Sequence, residues 1–290
     1  MQDKIKIYTL KDYPVRVYVG ITTNMVQEMN LLHDTTPTAA AAAGRTLTAT
    51  ALMASMLKNE TDVITAIVKG DGEIGTITAT ANNLGEAKCE ITNPYTEVSF
   101  NEKRKLDVKK VVGKGSLTVI KDTGLSTPYV GKVELVSGEI AEDFTYYFAT
   151  SEQTPSAVSL GVFVDTELNV THAGGFILQL MPDCPDEIID YIDEKLNDFP
   201  TFTSLLQLGL EHKGIMKQIF DNYEFNEIES KDIKYFCDCS EKKIEKVLFA
   251  LGREELCSII EENEDIEIVC HFCNKKYNVS IEKLKELADN

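Results

Sequence analysis

Cys237-Asp238-Cys239 and Cys270-His271-Phe272-Cys273 are the stretches whose reading decides how the end of the chain folds. Zinc prefers four tetrahedral nitrogen or sulfur ligands, and two close cysteine pairs brought together by a fold supply them. The second pair, with two intervening residues, has the usual knuckle spacing, while the first, with one, is tighter and less common. Cys237, Cys239, Cys270 and Cys273 therefore read as a tetrathiolate zinc site, one ion per chain, in a small C-terminal domain over residues 236–290. Lys242, Lys243, Lys275 and Lys276 flank the pairs and are expected to offset the negative charge of the thiolates. His271 reads as a spacer, because four thiolates already close the coordination shell.

Such a site has two uses, and spacing leaves both open. One is a permanent structural knuckle. The other is a switch: close cysteines can form disulfides with little chain rearrangement, and zinc keeps the sulfurs as thiolates, the form that reacts with peroxide. A structural zinc contributes on the order of 10–16 kcal/mol to folding, so oxidising its ligands would unfold residues 236–290. The remaining cysteines have plainer readings. Cys89 falls in a strand pattern as a small buried hydrophobe, Cys184 sits in a proline-flanked turn, and Cys257, on a helix beginning near Arg253, is expected to point into the small core.

Upstream of the cysteines, residues 181–235 are rich in acidic side chains with apolar residues at helical spacing. Asp186 to Phe199 places Ile188, Ile189, Ile192 and Leu196 on one face. Phe202 to Tyr223 does the same with Leu205, Leu206, Leu210, Ile215, Ile219 and Phe220, interrupted by Gly209 and Gly214. These read either as two ordinary amphipathic helices packed on the preceding domain or as a conditional linker. Two glycines at about 1 kcal/mol each and a dense like-charge load make the segment marginal unless something holds it down.

Residues 1–180 mix strand and helix signals without regular alternation, which predicts an α+β fold: an N-terminal sheet-and-helix domain, a helical linker and a small zinc-binding domain. Val15, Val17 and Val19 alternate as a half-buried strand. Asn24–Leu32 and Thr38–Lys58 are helical in composition, the second with residues small enough to pack on all faces. Further strands are expected at Val63–Lys69, Thr76–Ala81, Ala87–Thr92, Ser116–Lys121, Val130–Leu135, Val158–Val164 and Gly175–Gln179, with a helix near Ile140–Ser151.

Across its 290 residues the chain carries 47 acidic and 29 basic side chains, a net charge of −18. That balance argues against nucleic acid or anionic membrane as a partner. MQDKIKIYTL lacks the apolar run of a secretory signal, and the alanine-rich Thr38–Leu57 is broken by Arg45 and several hydroxyls, so seven cysteines point to a reducing cytoplasm. Gly70-Asp71-Gly72-Glu73-Ile74-Gly75 matches a dinucleotide string, but a strand follows it and two carboxylates would repel a pyrophosphate, so it reads as a hairpin turn. No nucleophile elbow, HExxH or P-loop is present. Ser156, Asp165 and His172 make no convincing triad, and Glu134/Glu139 and Glu142/Asp143 read as solvated faces. The chain does not read as an enzyme.

Two regions together carry a resemblance. Ser137-Gly138-Glu139-Ile140-Ala141-Glu142-Asp143-Phe144 through Ser151-Glu152-Gln153-Thr154-Pro155-Ser156, with Ala173-Gly174-Gly175-Phe176 to Gln179-Leu180-Met181-Pro182, strongly resembles the redox-regulated heat-shock chaperones, the 33 kDa chaperonins. The CHFC pair followed by Asn274-Lys275-Lys276-Tyr277 is similar to that family too, so the resemblance spans essentially the whole chain. It implies an ATP-independent holdase, inactive when reduced and zinc-bound, with the four family ligands at Cys237, Cys239, Cys270 and Cys273. Oxidation under unfolding conditions would form Cys237–Cys239 and Cys270–Cys273, expel zinc and melt the 181–235 linker. The exposed apolar surface would then capture unfolding client proteins, and the oxidised chain would dimerise. Glu73 replaces the proline common in the family's turn, and Cys257 matches no family ligand. The competing readings are a constitutive zinc-stabilised interaction module and a thiol oxidoreductase using the CHFC pair, which lacks the βαβ context such an enzyme needs.

Overall fold

The computed structural model describes residues 2–102, 104–262 and 264–289, and the chain separates into two compact units, Met1–Phe236 and Cys237–Asn290. The architecture is α+β. The alternating N-terminus forms β1 (Lys4–Leu10), paired antiparallel with β2 (Val15–Ile21). Two helices follow, α1 (Thr23–His33) and α2 (Pro37–Ala54). Then come β3 (Val63–Gly70), β4 (Thr76–Asn82), β5 (Glu86–Ile91), α3 (Val108–Val112), β6 (Gly115–Asp122), β7 (Tyr129–Glu134), α4 (Ala141–Thr150), β8 (Ser156–Val164) and β9 (Val170–Leu180). The first unit closes with α5 (Asp186–Asn197), α6 (Phe202–Gln207), α7 (His212–Ile219), β10 (Phe225–Asp232) and β11 (Lys234–Tyr235). The second contains α8 (Glu241–Leu251), α9 (Arg253–Glu261), β12 (Ile266–Val269), β13 (Lys276–Val279) and α10 (Ile281–Asp289).

The first unit is built on two sheets, ordered β10-β1-β2-β9-β8 and β11-β5-β4-β3-β6-β7. Helix α2 lies between them, against β8 and β9 on one side and β3, β4 and β5 on the other. Its composition explains the position. Ala39 to Ala43 are fully buried, and a side chain on Gly44 would collide with Val26 and Val162. Pro37 sits in the first turn, where its missing N–H has no helical partner to lose. The Gly70–Gly75 string is the turn joining β3 to β4, so no helix receives a phosphate there.

Three expectations are corrected. The single helix expected over Phe202–Tyr223 is two, α6 and α7, because Gly209 takes a left-handed φ of 76° and ends the first. Asp143 is not on a solvated face. Its buried carboxylate accepts backbone N–H bonds from Val136 (2.8 Å), Ser137 (3.0 Å), Gly138 (3.3 Å) and Ile140 (2.9 Å), fixing the loop ahead of α4. Glu139 is half-buried and pairs with Arg45 of α2 at 2.7 Å.

Sheet β10-β1-β2-β9-β8 has two apolar faces. Ile5, Ile7, Tyr18 and Ile177 face the α2 core, whereas Tyr8, Leu10, Val15, Val17, Val19, Ile21, Phe176 and Leu178 face the other way. The second face is covered by α5, α6 and α7 through Ile188, Ile192, Phe202, Leu205, Ile215, Met216, Ile219 and Phe220. The chain then runs along the edge of the sheet as β10 and crosses to the edge of the other sheet as β11, parallel to β5. Lys234 N–H donates to Gly85 O and Phe236 N–H to Ala87 O at 2.9 and 2.8 Å. The buried Tyr235 hydroxyl donates to Cys89 O (3.0 Å) and accepts from Cys89 N–H (3.2 Å).

Gly85, at φ 80°, admits this crossing, since a Cβ there would collide with the Asp232 carbonyl. Gly85→Val is therefore expected to speed amide exchange over residues 225–236 by about tenfold or more, with α2 unaffected. Unchanged protection of 225–236 would show that the crossing does not depend on this approach.

His212, at the start of α7, is buried with its Nε2 2.9 Å from Lys4 O. Burial pushes its pKa below the ordinary 6.5, helped by the Lys6 charge and opposed by the Lys4 carbonyl, Glu211 and Glu227. The folded state therefore favours neutral imidazole. Its contribution is fully present above pH 6.5 and is lost as pH falls below that value toward the folded pKa. Thermal unfolding should show wild type losing stability relative to His212→Gln as pH is lowered through this range. Parallel pH profiles would contradict a buried neutral imidazole.

Candidate metal centre

The second unit has little apolar core: Leu248, Leu256, Val279 and Leu284 form its buried cluster. β12 and β13 pair antiparallel, from Ile266 opposite Val279 to Val269 opposite Lys276, and residues 270–275 join them. Within this loop Cys270 N–H donates to Lys275 O at 2.9 Å and Asn274 N–H to Cys270 O at 2.7 Å. Asn274 adopts φ 56°, a left-handed conformation that asparagine tolerates better than most residues. Cys237 and Cys239 come from the segment preceding α8, whose first turn is capped by the Ser240 hydroxyl accepting from Lys243 N–H.

The four sulfurs expected to act together do meet. Sγ atoms of Cys237, Cys239, Cys270 and Cys273 all lie within 4.8 Å of one another. Two approaches cross between the pairs, Cys237 to Cys270 at 3.6 Å and Cys239 to Cys273 at 3.4 Å. A four-coordinate ion bonded to sulfur at about 2.3 Å would hold neighbouring sulfurs about 3.8 Å apart, so the cluster is of the size such an ion requires. Backbone N–H groups favour charge on it: Cys239 N–H donates to the Cys237 sulfur and Lys275 N–H to that of Cys273. Burial still raises the Cys237 and Cys273 thiols. At Cys239 burial is outweighed by hydrogen bonds from Tyr277 and the other thiols, which bring it down to about 7. These cysteines could hold a metal ion, which would complete a unit too poor in apolar residues to rely on its core.

Tyr277 is the contributor that spacing missed. Its hydroxyl donates to Cys239 Sγ at 3.1 Å, and Lys275 lies over its ring at 5.0 Å. Its place in the Asn274–Tyr277 run after CHFC was the only signal for it. Of the flanking lysines, Lys243 pairs with Asp238 and Lys276 with Glu267. His271 is exposed and outside the sulfur cluster, as a spacer should be. Cys257 does not enter the core but is exposed on α9, because Leu256 takes the inward position. Cys89 is buried in β5, and Cys184 packs at the margin of the α5–α7 cluster. Ser156 pairs with Gln179 and His172 with Phe163 on the same ladder, seven positions apart, about 23 Å along a strand. They form no catalytic group.

The sequence profile of the Hsp33 protein family matches residues 3–280. The chain belongs to the Hsp33 family. It is 47% identical over 291 residues to a 33 kDa chaperonin of Clostridium botulinum (strain Eklund 17B / Type B), covering 100% of this chain and 99% of that one. A 33 kDa chaperonin of Clostridioides difficile (strain 630) is 45% identical over 288 residues, covering 99% of each. The crystal structure of the 33 kDa chaperonin from Thermotoga maritima, an Hsp33 homolog, superposes with a TM-score of 0.91 at 35% identity, over 100% of this chain and 98% of that one. The match therefore extends over both units.

Replacing any one of Cys237, Cys239, Cys270 or Cys273 by serine should lower metal content, measured by elemental analysis of reduced protein, from one ion per chain to a small fraction of that. Cys257→Ser should leave it unchanged. Full metal content in a Cys239→Ser protein would show that the cluster is not the site.

Proposed function

We propose that this chain is an ATP-independent holdase of the cytoplasm, switched by oxidation of a zinc-bound tetrathiolate. The observation that carries the reading is four thiols within 4.8 Å of one another, starting two residues after the buried Tyr235 that ends the cover of the first unit. Cys237, Cys239, Cys270 and Cys273 would hold zinc, which suits an all-sulfur, four-coordinate donor set and supplies a cross-link without redox chemistry of its own.

In the reduced form the cysteines stay ionised and the second unit stays folded. A thiolate attacks peroxide to give a sulfenic acid and water or hydroxide. A second thiolate then displaces the oxygen, so each disulfide transfers two electrons to one peroxide. All four sulfurs are within reach of one another, so distance does not select the pairing. The resemblance to the redox-regulated chaperones implies the pairing within each close pair, Cys237–Cys239 and Cys270–Cys273, with the four ligands lost.

Loss of the second unit's fold leaves β11 and β10 attached to a disordered chain. The 181–235 segment would then leave the face formed by Tyr8, Val15, Val17, Val19, Phe176 and Leu178, which becomes available to unfolding client proteins. The acidic side chains of the released segment keep the open form in solution, and oxidised chains would pair as homodimers. Net charge of −18 argues against nucleic acid or an anionic membrane as partners. Among the described residues no helix is long and apolar enough to cross a membrane.

The test treats reduced protein with peroxide at raised temperature while zinc release and suppression of client aggregation are followed together. Metal loss accompanied by holdase activity, both reversed by thiol reductant and zinc, is the expected outcome. Activity without metal loss, or metal loss without activity, would reduce the site to a structural knuckle.

A further inference from the structure

We propose that β10 is an internal stand-in for client, and that the outer edge of β1 is a strand-accepting site for extended, acidic segments of unfolding chains. The inference rests on the switch reading above and specifies how the open form takes hold of its client.

Three features of the β1–β10 pairing support it. First, β10 buries almost nothing. Of Phe225-Asn226-Glu227-Ile228-Glu229-Ser230-Lys231-Asp232, only Phe225 and Lys231 are partly buried, and Ile228 is exposed at the bulge between Ile7 and Tyr8. Phe225 makes an edge contact with Tyr8 at 5.7 Å. Its other ties are polar: the backbone ladder from Lys4 opposite Asp232 to Leu10 opposite Phe225, the Tyr8 hydroxyl donating to Glu227, ion pairs with Lys4 and Lys6, and Lys231, which donates to Ser55 O and Asn83 Oδ1.

Second, β1 does not depend on β10 for its own order. Ile5, Ile7, Tyr8 and Leu10 are buried, and β1 pairs along its other side with β2 from Lys4–Ile21 to Thr9–Arg16. Removing β10 therefore leaves a fixed strand with a row of unpaired N–H and C=O groups, which is a template for another strand.

Third, the edge has a charge. Lys4–Asp232 (3.2 Å), Lys6–Glu227 (3.0 Å) and Lys11–Glu224 (2.7 Å) all join β1 or the residue after it to acids on or just before β10. With the acids gone, three lysines border the open edge in a chain of net charge −18. The segment that fits is extended and acidic, as β10 is. Binding by strand addition draws its affinity from main-chain hydrogen bonds, so it accepts many sequences. That suits a protein whose clients share unfolding and not a motif.

The test uses the full chain, oxidised and metal-free, with a labelled peptide copying Phe225–Asp232. Two further peptides carry three N-methyl groups each. One has them at Asn226, Glu229 and Lys231, opposite Thr9, Ile7 and Ile5, the set that faces β1 once the bulge at Ile228 is allowed for. The other has them at Phe225, Ser230 and Asp232, the set that faces away. Peptide should bind the oxidised chain and not the reduced one, and should raise client aggregation by competition. N-methylation in the phase facing β1 should weaken binding at least about tenfold, and in the other phase hardly at all. Lys4→Glu, Lys6→Glu and Lys11→Glu together should weaken the acidic peptide and favour one with lysines at its acidic positions.

Equal binding of the two methylated peptides would overturn strand addition. So would failure to bind an oxidised chain that still suppresses aggregation, and in that case the switch reading survives. An oxidised chain that neither binds peptide nor suppresses aggregation removes both. Exclusion of peptide in proportion to dimer, measured by light scattering, would assign the edge to a second copy of this chain and overturn the proposal.

Discussion

Convergence of four sulfurs is the constraint on which the second unit depends. Leu248, Leu256, Val279 and Leu284 are a small core for residues 237–290, and domains of this size commonly need a staple beyond apolar burial. The knuckle between β12 and β13 supplies two thiols and the segment before α8 the other two. Tyr277, from the second strand of the same hairpin, bonds back to Cys239, so the hairpin and the N-terminal segment meet at the cluster.

The first unit has the opposite character. Helix α2 is buried between two sheets by virtue of its alanines, and the surrounding core includes none of the four clustered cysteines. Between these extremes lie residues 181–236. Their helices bury apolar side chains on one sheet, but their final strands hold on through backbone hydrogen bonds, surface ion pairs and the Tyr235 hydroxyl. Exposed ion pairs are each worth little. Apolar burial in this segment is therefore uneven: it is concentrated in α5, α6 and α7, almost absent from β10, and returns only at Ile233 and Tyr235, just before Cys237.

Much of this was legible in the sequence because the signals are local. Two cysteine pairs announce their chemistry by spacing, and alternation or alanine content gives the strands and α2. What was not legible depends on distant partners. Asp143 looks solvated until the turn through Val136–Ile140 is seen to aim four N–H groups at it. Residues 224–232 carry acidic composition with little periodicity, and only the edge of β1 makes them a strand. Cys257 was expected in the small core of its unit, yet Leu256, one position away, takes that place. Tyr277 lies four residues beyond Cys273, as the second residue of β13, and no spacing rule connects a phenol to a particular thiol.

The central claim is that the state of four sulfurs governs the order of residues 181–236. Hydrogen exchange, resolved along the chain before and after peroxide treatment and paired with disulfide mapping, tests it most directly. The account predicts that α5, α6, α7, β10 and β11 lose protection when Cys237–Cys239 and Cys270–Cys273 have formed, while α2, β3 and β4 keep theirs. Loss of protection confined to residues 237–289, with α5 through β11 unchanged, would contradict it.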